Sequence, residues 1–516
     1  MLIDFNIGKK IKELKLVGKK LPAEYFDLGV AFWLLNPDEP EYSADYLSKK
    51  YLHKDPSASS LTGQAGQANK ELYNYAAKKL KEYKLEKIFY DMEMPLVEIL
   101  ADMELAGIKV NVKSLKELDN ELEKKLSALV KNIYKEAGEN FNINSPKQLG
   151  KILFEKLQIS LDGVKKTKGG AVSTNIDTLL TIQDRHEIVK YILEYRELFK
   201  LQSTYVRPLQ ELARPTVGLG ANKKRLNASR RPTAGGGSER VHTTYIQTGT
   251  TTGRLSSQNP NLQNIPAEGE WAKKLRTCFI PEKGYVLAAF DYSQIELRIL
   301  ASLSGDPKMI EAFNNDLDIH KMTASSVFNV PLEKVTPEMR RMAKTLNFGV
   351  IFGMGANAFA KTSGLSFADA KKFIDEYFED FKSIKIWHEE IKEQARKLGY
   401  VSDLNGRRRW LLEATSMFRG EAAEAERAAI NMPIQGLDAD IMKTAMVKIS
   451  EEIKKKKWDD KVRMLLTIHD ELIFEIKEDL LGEALNMIPS IMEGAYELEV
   501  PIKVTAKTGK NWGSLE

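Results

Sequence analysis

Two apolar runs that each end in an aspartate constrain this chain more than any other feature. Residues 285–290 form the first run, which is typical of a buried strand, and Asp291 follows it directly. Residues 463–468 form the second run, which leads through His469-Asp470-Glu471 into another apolar segment. The second run therefore predicts a hairpin whose turn presents Asp470. An aspartate at the end of a core strand is held on a rigid support, where it can ligate a cation.

Aspartates that converge from two strands indicate chemistry at phosphorus. Asp291 and Asp470 could together hold two Mg²⁺ ions, which is the arrangement used for in-line displacement, and Mn²⁺ could replace Mg²⁺. Taken alone, each aspartate is more often a turn residue or a helix cap. The sequence between them decides for the catalytic interpretation.

Composition excludes several classes of protein. The chain has 516 residues, of which 43% are hydrophobic and 29% charged, and it should form two to four domains. No apolar run approaches the roughly 18 residues of a membrane span, and residues 1–5 lack the basic region of a signal peptide. We therefore expect a soluble cytoplasmic protein without membrane contacts. The net charge of +5 is modest, so any affinity for polyanions must come from local patches of basic residues.

The single cysteine also limits the cross-links and metal sites that the chain can form. Cys278 excludes an internal disulfide and any zinc site built from a cysteine cluster. Its neighbours Phe279 and Ile280 are apolar, which predicts a buried structural thiol.

The first half of the chain shows mainly helical patterns. Residues 26–35 predict a helix or core segment, whereas the Ser-, Gly- and Gln-rich residues 55–67 predict a surface loop. Long charged amphipathic helices follow over residues 91–210, and their near-heptad rhythm fits an intramolecular helix pair or a coiled-coil dimer. Ser145 and Pro146 form a helix start, as N-cap and first helical residue.

Two basic stretches have open interpretations. Residues 165–170 form a glycine-containing loop that could contact phosphate or could be solvated surface. Residues 213–240 are glycine-rich and basic, and they could be a flexible arm for nucleic acid or a tolerated insertion. Beyond residue 241 strands and helices alternate, except for the almost wholly helical residues 306–405. That pattern predicts a helical subdomain inserted into a sheet-based one.

A helix with two cations and a ring on one face follows the first aspartate. Thr336 and Pro337 predict its start. Arg340, Lys344 and Phe348 recur at steps of four, so they project from one face. Such a face fits a nucleoside triphosphate, because cations hold phosphates and a ring can stack on the base or sugar. Spacing alone favours the other interpretation, a charged surface stripe beside a core phenylalanine.

Several long motifs resemble the A-family DNA polymerases, the bacterial DNA polymerase I group. Residues 340–353 resemble the fingers-helix motif, residues 291–298 the first carboxylate motif, and His469-Asp470-Glu471 the last. Residues 252–257 and 261–266 match the primer-template segment, and Arg427 with residues 431–436 matches the template-side helix. The motifs occur in the family's order over residues 91–516.

The resemblance implies an α+β fold shaped like a right hand, with an antiparallel-sheet palm and helical fingers and thumb. The implied domains are a truncated, inactive 3′-5′ exonuclease-like α/β domain (1–90), a thumb with a basic linker (91–240), the first part of the palm (241–305), the fingers (306–405) and the second part of the palm (406–516). The implied activity is templated addition of dNTPs to a primer 3′-hydroxyl in replication or repair, by a monomer associated with the nucleoid.

The resemblance also assigns residue roles. The metal ligands would be Asp291, Asp470 and the carbonyl of Tyr292, and Lys344 would protonate the leaving pyrophosphate. The dNTP would be bound by Arg340, Lys344, Phe348, Phe352, Glu296, His320 and Gln294, with Glu296 excluding a 2′-hydroxyl. The primer-template DNA would be bound by Arg254, Asn261, Gln263, Arg427, Asn431, Gln435, His469, Lys200 and Ser203. Contacts in the minor groove check base-pair shape without reading sequence.

Two departures from the family pattern stand out. Phe352 replaces the family's usual tyrosine, whose hydroxyl would hydrogen-bond Glu296, so selection of the sugar or base could be looser. In residues 1–90 the exonuclease's acidic first strand is missing, and Lys78-Lys79-Leu80 stands where an acid should follow Tyr75. We therefore expect no proofreading.

The alternatives to a DNA polymerase without proofreading are a single-subunit RNA polymerase, a non-catalytic DNA-binding relic, and a polymerase that retains exonuclease activity.

Overall fold

A computed structural model of the protein describes residues 1–54, 64–160, 162, 172–213 and 239–515. The described chain mixes helices with short sheets and divides into two compact units. The first unit comprises Met1–Gly107, Thr243–Gln263 and Lys283–Thr508, and the second comprises Ile108–His242, Asn264–Glu282 and Gly509–Glu516. The predicted loop at 165–170 and nearly all of the predicted basic arm at 213–240 lie outside the described residues. The five-domain division stays a prediction.

The N-terminal segment is mostly helical around a short sheet. Its elements are β1 (Leu2–Asp4), α1 (Ile7–Leu16), β2 (Tyr25–Asp27), α2 (Leu28–Leu35), α3 (Ala44–Leu52), α4 (Gln64–Glu82), α5 (Glu86–Ile88) and α6 (Met94–Ala106). Strands β1 and β2 pair in parallel. Helix α2 is buried along its whole length because its sequence is entirely apolar, and Asp27 caps it by accepting from the Val30 amide at 3.1 Å. The loop predicted for residues 55–67 is wrong at its end, since residues 64–67 begin α4.

The second unit is built on two long helices. Its elements are β3 (Ile108–Lys109), α7 (Val112–Ala137), α8 (Pro146–Gly150), α9 (Ile176–Thr181), α10 (Glu187–Lys200), α11 (Arg207–Leu212), β4 (Arg240–Val241) and α12 (Glu270–Thr277). Helices α7 and α10 pack against each other, and Lys125 pairs with Glu194 at 3.1 Å. The intramolecular helix pair is therefore confirmed. Ser145 caps α8 as predicted, and Cys278 is buried as predicted.

The remaining elements complete the first unit. They are β5 (Thr244–Ile246), β6 (Ser256–Gln258), β7 (Tyr285–Tyr292), α13 (Ile295–Ser304), α14 (Pro307–Asn314), α15 (Ile319–Val327), α16 (Pro337–Ile351), α17 (Ala356–Ser363), α18 (Phe367–Asp380), α19 (Lys382–Leu398), β8 (Tyr400–Ser402), β9 (Arg408–Trp410), α20 (Arg419–Lys456), β10 (Val462–Ile468), β11 (Glu471–Lys477), α21 (Leu481–Glu493) and β12 (Val504–Gly509). Helices α14 to α19 account for most of residues 306–405, as the helical pattern predicts, and β8 begins at Tyr400 within that range. That these helices form an inserted subdomain stays a prediction.

A four-stranded sheet in the order β10-β11-β7-β12 lies at the centre of this unit. Strands β10 and β11 form the predicted hairpin, and β11 pairs antiparallel with β7 so that Glu471 lies opposite Asp291. Buried rings from both strands, Phe290 and Phe474, meet edge to face at 5.6 Å within the core. The packed rings tie β7 to β11 on one face of the sheet.

None of the helices in the described ranges is long and apolar enough to cross a membrane.

Candidate active site

The two aspartates predicted as metal ligands meet at one end of β7 and β11, the two middle strands of the central sheet. The backbone amide of Tyr292 donates to the carbonyl of Asp470 at 3.1 Å, which ties the end of β7 to the β10–β11 turn. Burial raises the pKa of Asp291 to about 7, and the negative charge of Asp470 adds to this rise. Burial also raises the pKa of Asp470. Two carboxyl groups this close favour a proton or a cation between them.

The donor atoms at these strand ends suit a hard divalent cation. Within the described part of the chain, no group of three or more His, Cys, Asp or Glu side chains could hold a metal ion. Mg²⁺, however, is commonly bound by one or two carboxylates together with water and substrate phosphates, not by a full protein cage. The Asp291 and Asp470 carboxylates could therefore hold a divalent cation together with water and phosphate oxygens.

Helix α16 presents the predicted cationic face. Thr336 caps its N-terminus by accepting from the Met339 amide at 3.2 Å, and Pro337 is its first residue, as predicted. Arg340 and Lys344 are exposed, whereas Phe348 is half-buried and packs against the core. The Arg340 guanidinium donates from Nε to Asp318 at 2.7 Å, so an anionic ligand would compete with this carboxylate.

His320 on α15 lies close to the same face. Its ring centroid is 5.8 Å from that of Phe348, and its Nδ1 is 3.0 Å from Asn347 Nδ2. Burial lowers the pKa of His320 to about 4, and the charges of Arg340 and Lys344 lower it further. The imidazole is therefore neutral at pH 7, and it would meet a phosphate as a hydrogen-bond donor without a charge.

The segment after β5 is hydrogen-bonded to the strand that leads to Asp470. Gln263 donates from Nε2 to the carbonyl of Thr467 at 3.0 Å, and its amide donates to Asn261 Oδ1 at 3.1 Å. Ser257 Oγ also donates to Asn261 Oδ1, at 2.8 Å. Two of the predicted DNA-binding residues, Asn261 and Gln263, are thus positioned beside the turn that carries His469. The His469 side chain is exposed, and its backbone has a left-handed φ of 54°.

Arg254 joins two carboxylates, one of which the sequence analysis missed. Its Nη2 lies 2.6 Å from Glu296 Oε1 on α13 and 2.7 Å from Asp438 Oδ2 on α20. The missed residue, Asp438, is buried, and the signal that could have found it is an aspartate among the mainly apolar residues 432–442, a stretch that also contains Asp440. The structure therefore connects the predicted primer-template segment directly to the predicted sugar-contacting glutamate.

One face of α20 carries three predicted DNA-binding residues at steps of four. Arg427 is exposed, while Asn431 and Gln435 are half-buried. The Oδ1 atom of Asn431 is buried without a hydrogen-bond partner among the described residues. Gly353 has a left-handed φ of 61°, and a Cβ there would lie 3.2 Å from Arg427 Cγ. The glycine thus allows the chain after α16 to pass close to this face.

The remaining predicted residues fall in two places. In the first unit, Gln294 precedes α13 with a left-handed φ of 55°, and Phe352 ends α16 half-buried against the core. In the second unit, Lys200 and Ser203 are exposed at the end of α10, where Ser203 Oγ donates to the carbonyl of Phe199 at 2.6 Å.

Comparison with known proteins identifies the family. The sequence model of DNA polymerase family A matches residues 112–514. The chain therefore belongs to this family. Among relatives, it is 40% identical to DNA polymerase I of Bacillus subtilis over 98% of this chain and 57% of that protein. It is 40% identical to the thermostable DNA polymerase I of Thermus aquaticus over 84% of this chain and 49% of that protein. The chain therefore spans about half the length of these curated relatives.

A solved structure shows the same fold. The polymerase domain of Pol1 from M. smegmatis, in complex with DNA primer-template and dNTP, superposes with a TM-score of 0.89 at 34% identity. The similarity covers 99% of this chain and 86% of that chain. The expected resemblance to family A polymerases is thus confirmed.

Proposed function

We propose that this protein is a DNA-directed DNA polymerase, which adds dNTPs to a primer 3′-hydroxyl under the direction of a template strand. The observation that carries the proposal is the pairing of β7 with β11, which brings Asp291 and Asp470 together at one end of the two middle strands of the sheet. The names of the family and of the relatives support the same activity. We propose that this activity serves the replication or repair of DNA.

The proposed metal ligands are Asp291, Asp470 and the carbonyl of Tyr292. Two bound Mg²⁺ ions, which Mn²⁺ could replace, would supply Lewis acidity toward the primer hydroxyl and the phosphates. The role of the protein is to hold two anionic carboxylates at one point, and burial of both makes that arrangement unfavourable without a positive partner.

The triphosphate would be bound by the face of α16 together with His320. Arg340 would exchange its ion pair with Asp318 for the phosphates, and Lys344 would donate a proton to the leaving pyrophosphate. Phe348 would stack on the nucleotide, with Phe352 and Gln294 completing the surface. Closing of this helix over a correct base pair would assemble the site.

The proposed DNA contacts belong to both units. In the first unit Arg254, Asn261, Gln263, Asn431 and Gln435 offer donors and acceptors to the minor groove. Arg427 and His469, which are exposed, would contact the backbone near the primer end. In the second unit, proposed as the thumb, Lys200 and Ser203 would contact phosphates.

Glu296 would lie under the sugar of the incoming nucleotide and exclude a 2′-hydroxyl, which favours DNA over RNA synthesis. Residues 1–90 would form a vestigial exonuclease domain without proofreading. Their Asp27 serves as a helix cap, since both of its carboxylate oxygens accept from backbone amides. A mismatched primer degraded in the absence of dNTPs would contradict this part of the proposal.

Primer extension on a templated duplex tests the polymerase. We expect dNTP- and Mg²⁺-dependent extension by the intact chain, and a loss of at least about a thousandfold in Asp470→Ala, since a metal ligand is removed. Asp479→Ala, at an exposed carboxylate beyond β11, is the control and should extend normally. Tight duplex binding without extension by the intact chain would instead identify a DNA-binding relic.

A further inference from the structure

Asp438 is buried near the aspartate pair, and none of the roles proposed above accounts for its position. It is 2% exposed on α20, and its Oδ2 accepts a hydrogen bond from Arg254 Nη2 at 2.7 Å. Its other oxygen, Oδ1, is buried without a hydrogen-bond partner among the described residues. Burying a carboxylate with one oxygen unpaired is unfavourable for stability, so its presence points to a role other than folding.

Arg254 is the partner that makes this burial possible. Burial raises the pKa of Asp438 to about 7, and the guanidinium of Arg254 opposes the rise, whereas Glu296 and Asp470 add to it. The side chain of Arg254, which lies between the two carboxylates, is 30% exposed, whereas that of Glu296 is 13% exposed and that of Asp438 is 3% exposed. Arg254 is thus fixed from the buried side by Asp438 and holds Glu296 on the more accessible side.

Glu296 has no hydroxyl partner at the end of α16. Phe352, at the position where the family resemblance leads us to expect a tyrosine, offers only a ring that packs against the core. The hydrogen bond at 2.6 Å from Arg254 Nη2 to Glu296 Oε1 is the contact that fixes the glutamate here. A charge-assisted hydrogen bond of this kind is stronger than one from a neutral hydroxyl.

We propose that Asp438 is a positioning residue for sugar discrimination: it anchors Arg254, which in turn holds the Glu296 carboxylate where a nucleotide's 2′-hydroxyl would have to fit. The substrate class that it excludes is the ribonucleoside triphosphates. This inference rests on the proposed polymerase function, because it concerns which triphosphate the same site accepts.

The test compares kcat/KM for single-nucleotide insertion of an rNTP and of the matching dNTP. We expect Asp438→Ala to raise the rNTP-to-dNTP ratio about tenfold, the effect of losing one charge-assisted hydrogen bond, mainly through a lower KM for the rNTP. Asp438→Asn keeps an acceptor for Arg254 without the charge, so it should raise the ratio by a smaller factor of about three. Insertion of the dNTP should change less than about threefold in both variants.

A rescue distinguishes positioning from a general structural role. Adding Phe352→Tyr to Asp438→Ala supplies a hydroxyl for Glu296 and should return the ratio to within about threefold of the wild-type value. Asp306→Asn is the matched control, because Asp306 is also 2% exposed but caps α14, where asparagine caps equally well. It should leave the ratio unchanged.

The outcomes separate this inference from the proposed function. Normal dNTP insertion with an unchanged ratio in Asp438→Ala would overturn the inference alone. An equal fall in rNTP and dNTP insertion, not rescued by Phe352→Tyr, would also overturn it by showing a structural role. Absence of dNTP insertion by the wild-type chain would overturn the proposed function itself.

Discussion

At the scale of single residues, burial decides which ionisable groups carry charge. The carboxyl of Asp291 has its pKa raised to about 7 because it is buried beside Asp470, whereas the imidazole of His320 has its pKa lowered to about 4 by burial, against the opposing charge of Asp318. Both shifts favour the neutral form. A ligand cation near the aspartates would reverse the first shift. The second leaves His320 as a neutral donor.

His388 allows the effect of burial to be measured away from the site. It lies 5% exposed on α19, its Nε2 has no partner among the described residues, and burial lowers its pKa from 6.5 to about 4. Lys392 lowers it further, and Glu389 opposes this. Between these two pH values the unfolded chain binds a proton that the folded chain does not, so stability falls as pH falls.

We therefore expect His388→Phe to remove about 3 kcal/mol of acid destabilisation between about pH 6.5 and pH 4, since each pKa unit is worth about 1.4 kcal/mol. Phenylalanine keeps the ring contacts with Phe378 and Trp387. Urea unfolding followed over this pH range gives the measurement. The exposed His53→Asn is the control. Parallel pH profiles for wild type and His388→Phe would show that the imidazole is not buried neutral in solution.

At the scale of elements, helix termini connect local sequence with ligand binding. The carbonyl of Thr336 accepts from the Arg340 amide at 3.0 Å, while its hydroxyl caps the helix at Met339. The first turn of α16 therefore supports the arginine proposed to bind phosphate. A weaker cap should let this turn fray.

Thr336→Ala should destabilise the start of α16 by about 1 kcal/mol, the typical contribution of an N-cap hydroxyl. We expect faster amide hydrogen exchange at Met339 and a KM for dNTP raised about two- to fivefold, with kcat nearly unchanged. Thr336→Ser keeps the capping oxygen and should behave as wild type. Unaltered exchange at Met339 in the alanine variant would show that Pro337 alone suffices to start the helix.

At the scale of the molecule, a buried network of charges joins distant parts of the first unit. Arg407 pairs with Asp440 at 2.6 Å and with Glu93, and Lys443 pairs with Glu93 at 2.7 Å. All four side chains are at most 3% exposed. Trp33 lies against both cations, with Arg407 5.1 Å and Lys443 4.8 Å from its ring. The network thus connects the N-terminal segment to α20, the helix that carries Asp438.

Removing one member should destabilise this unit strongly. Arg407→Met leaves Asp440 without its paired cation and Glu93 with Lys443 alone, and we expect a loss of about 3–5 kcal/mol in the free energy of unfolding. Arg341→Met breaks an exposed pair with Glu338, whose side chains are 67% and 68% exposed, and should cost less than about 1 kcal/mol. Urea denaturation measures both. Similar losses in the two variants would mean that the network is open to water.

The amino-acid sequence by itself determined the local features of this protein: strand ends at Asp291 and Asp470, helix starts at Ser145 and Thr336, and the motifs that place it in its family. These depend on neighbours within a few residues along the chain, so periodicity and capping rules reach them. It missed residues 64–67, which begin α4 although their composition is typical of a loop.

Only the tertiary structure decided which charges meet. Arg254 and Asp438 are 184 positions apart, and Arg407 and Glu93 are 314 apart. No short-range pattern links such residues, because any buried carboxylate can be paired with any cation that packing brings to it. The positions of the partners are set by the packing of α20 within the first unit. For that reason the sequence predicted Glu296 and Arg254 as separate contacts, while their shared anchor at Asp438 emerged only from the folded chain.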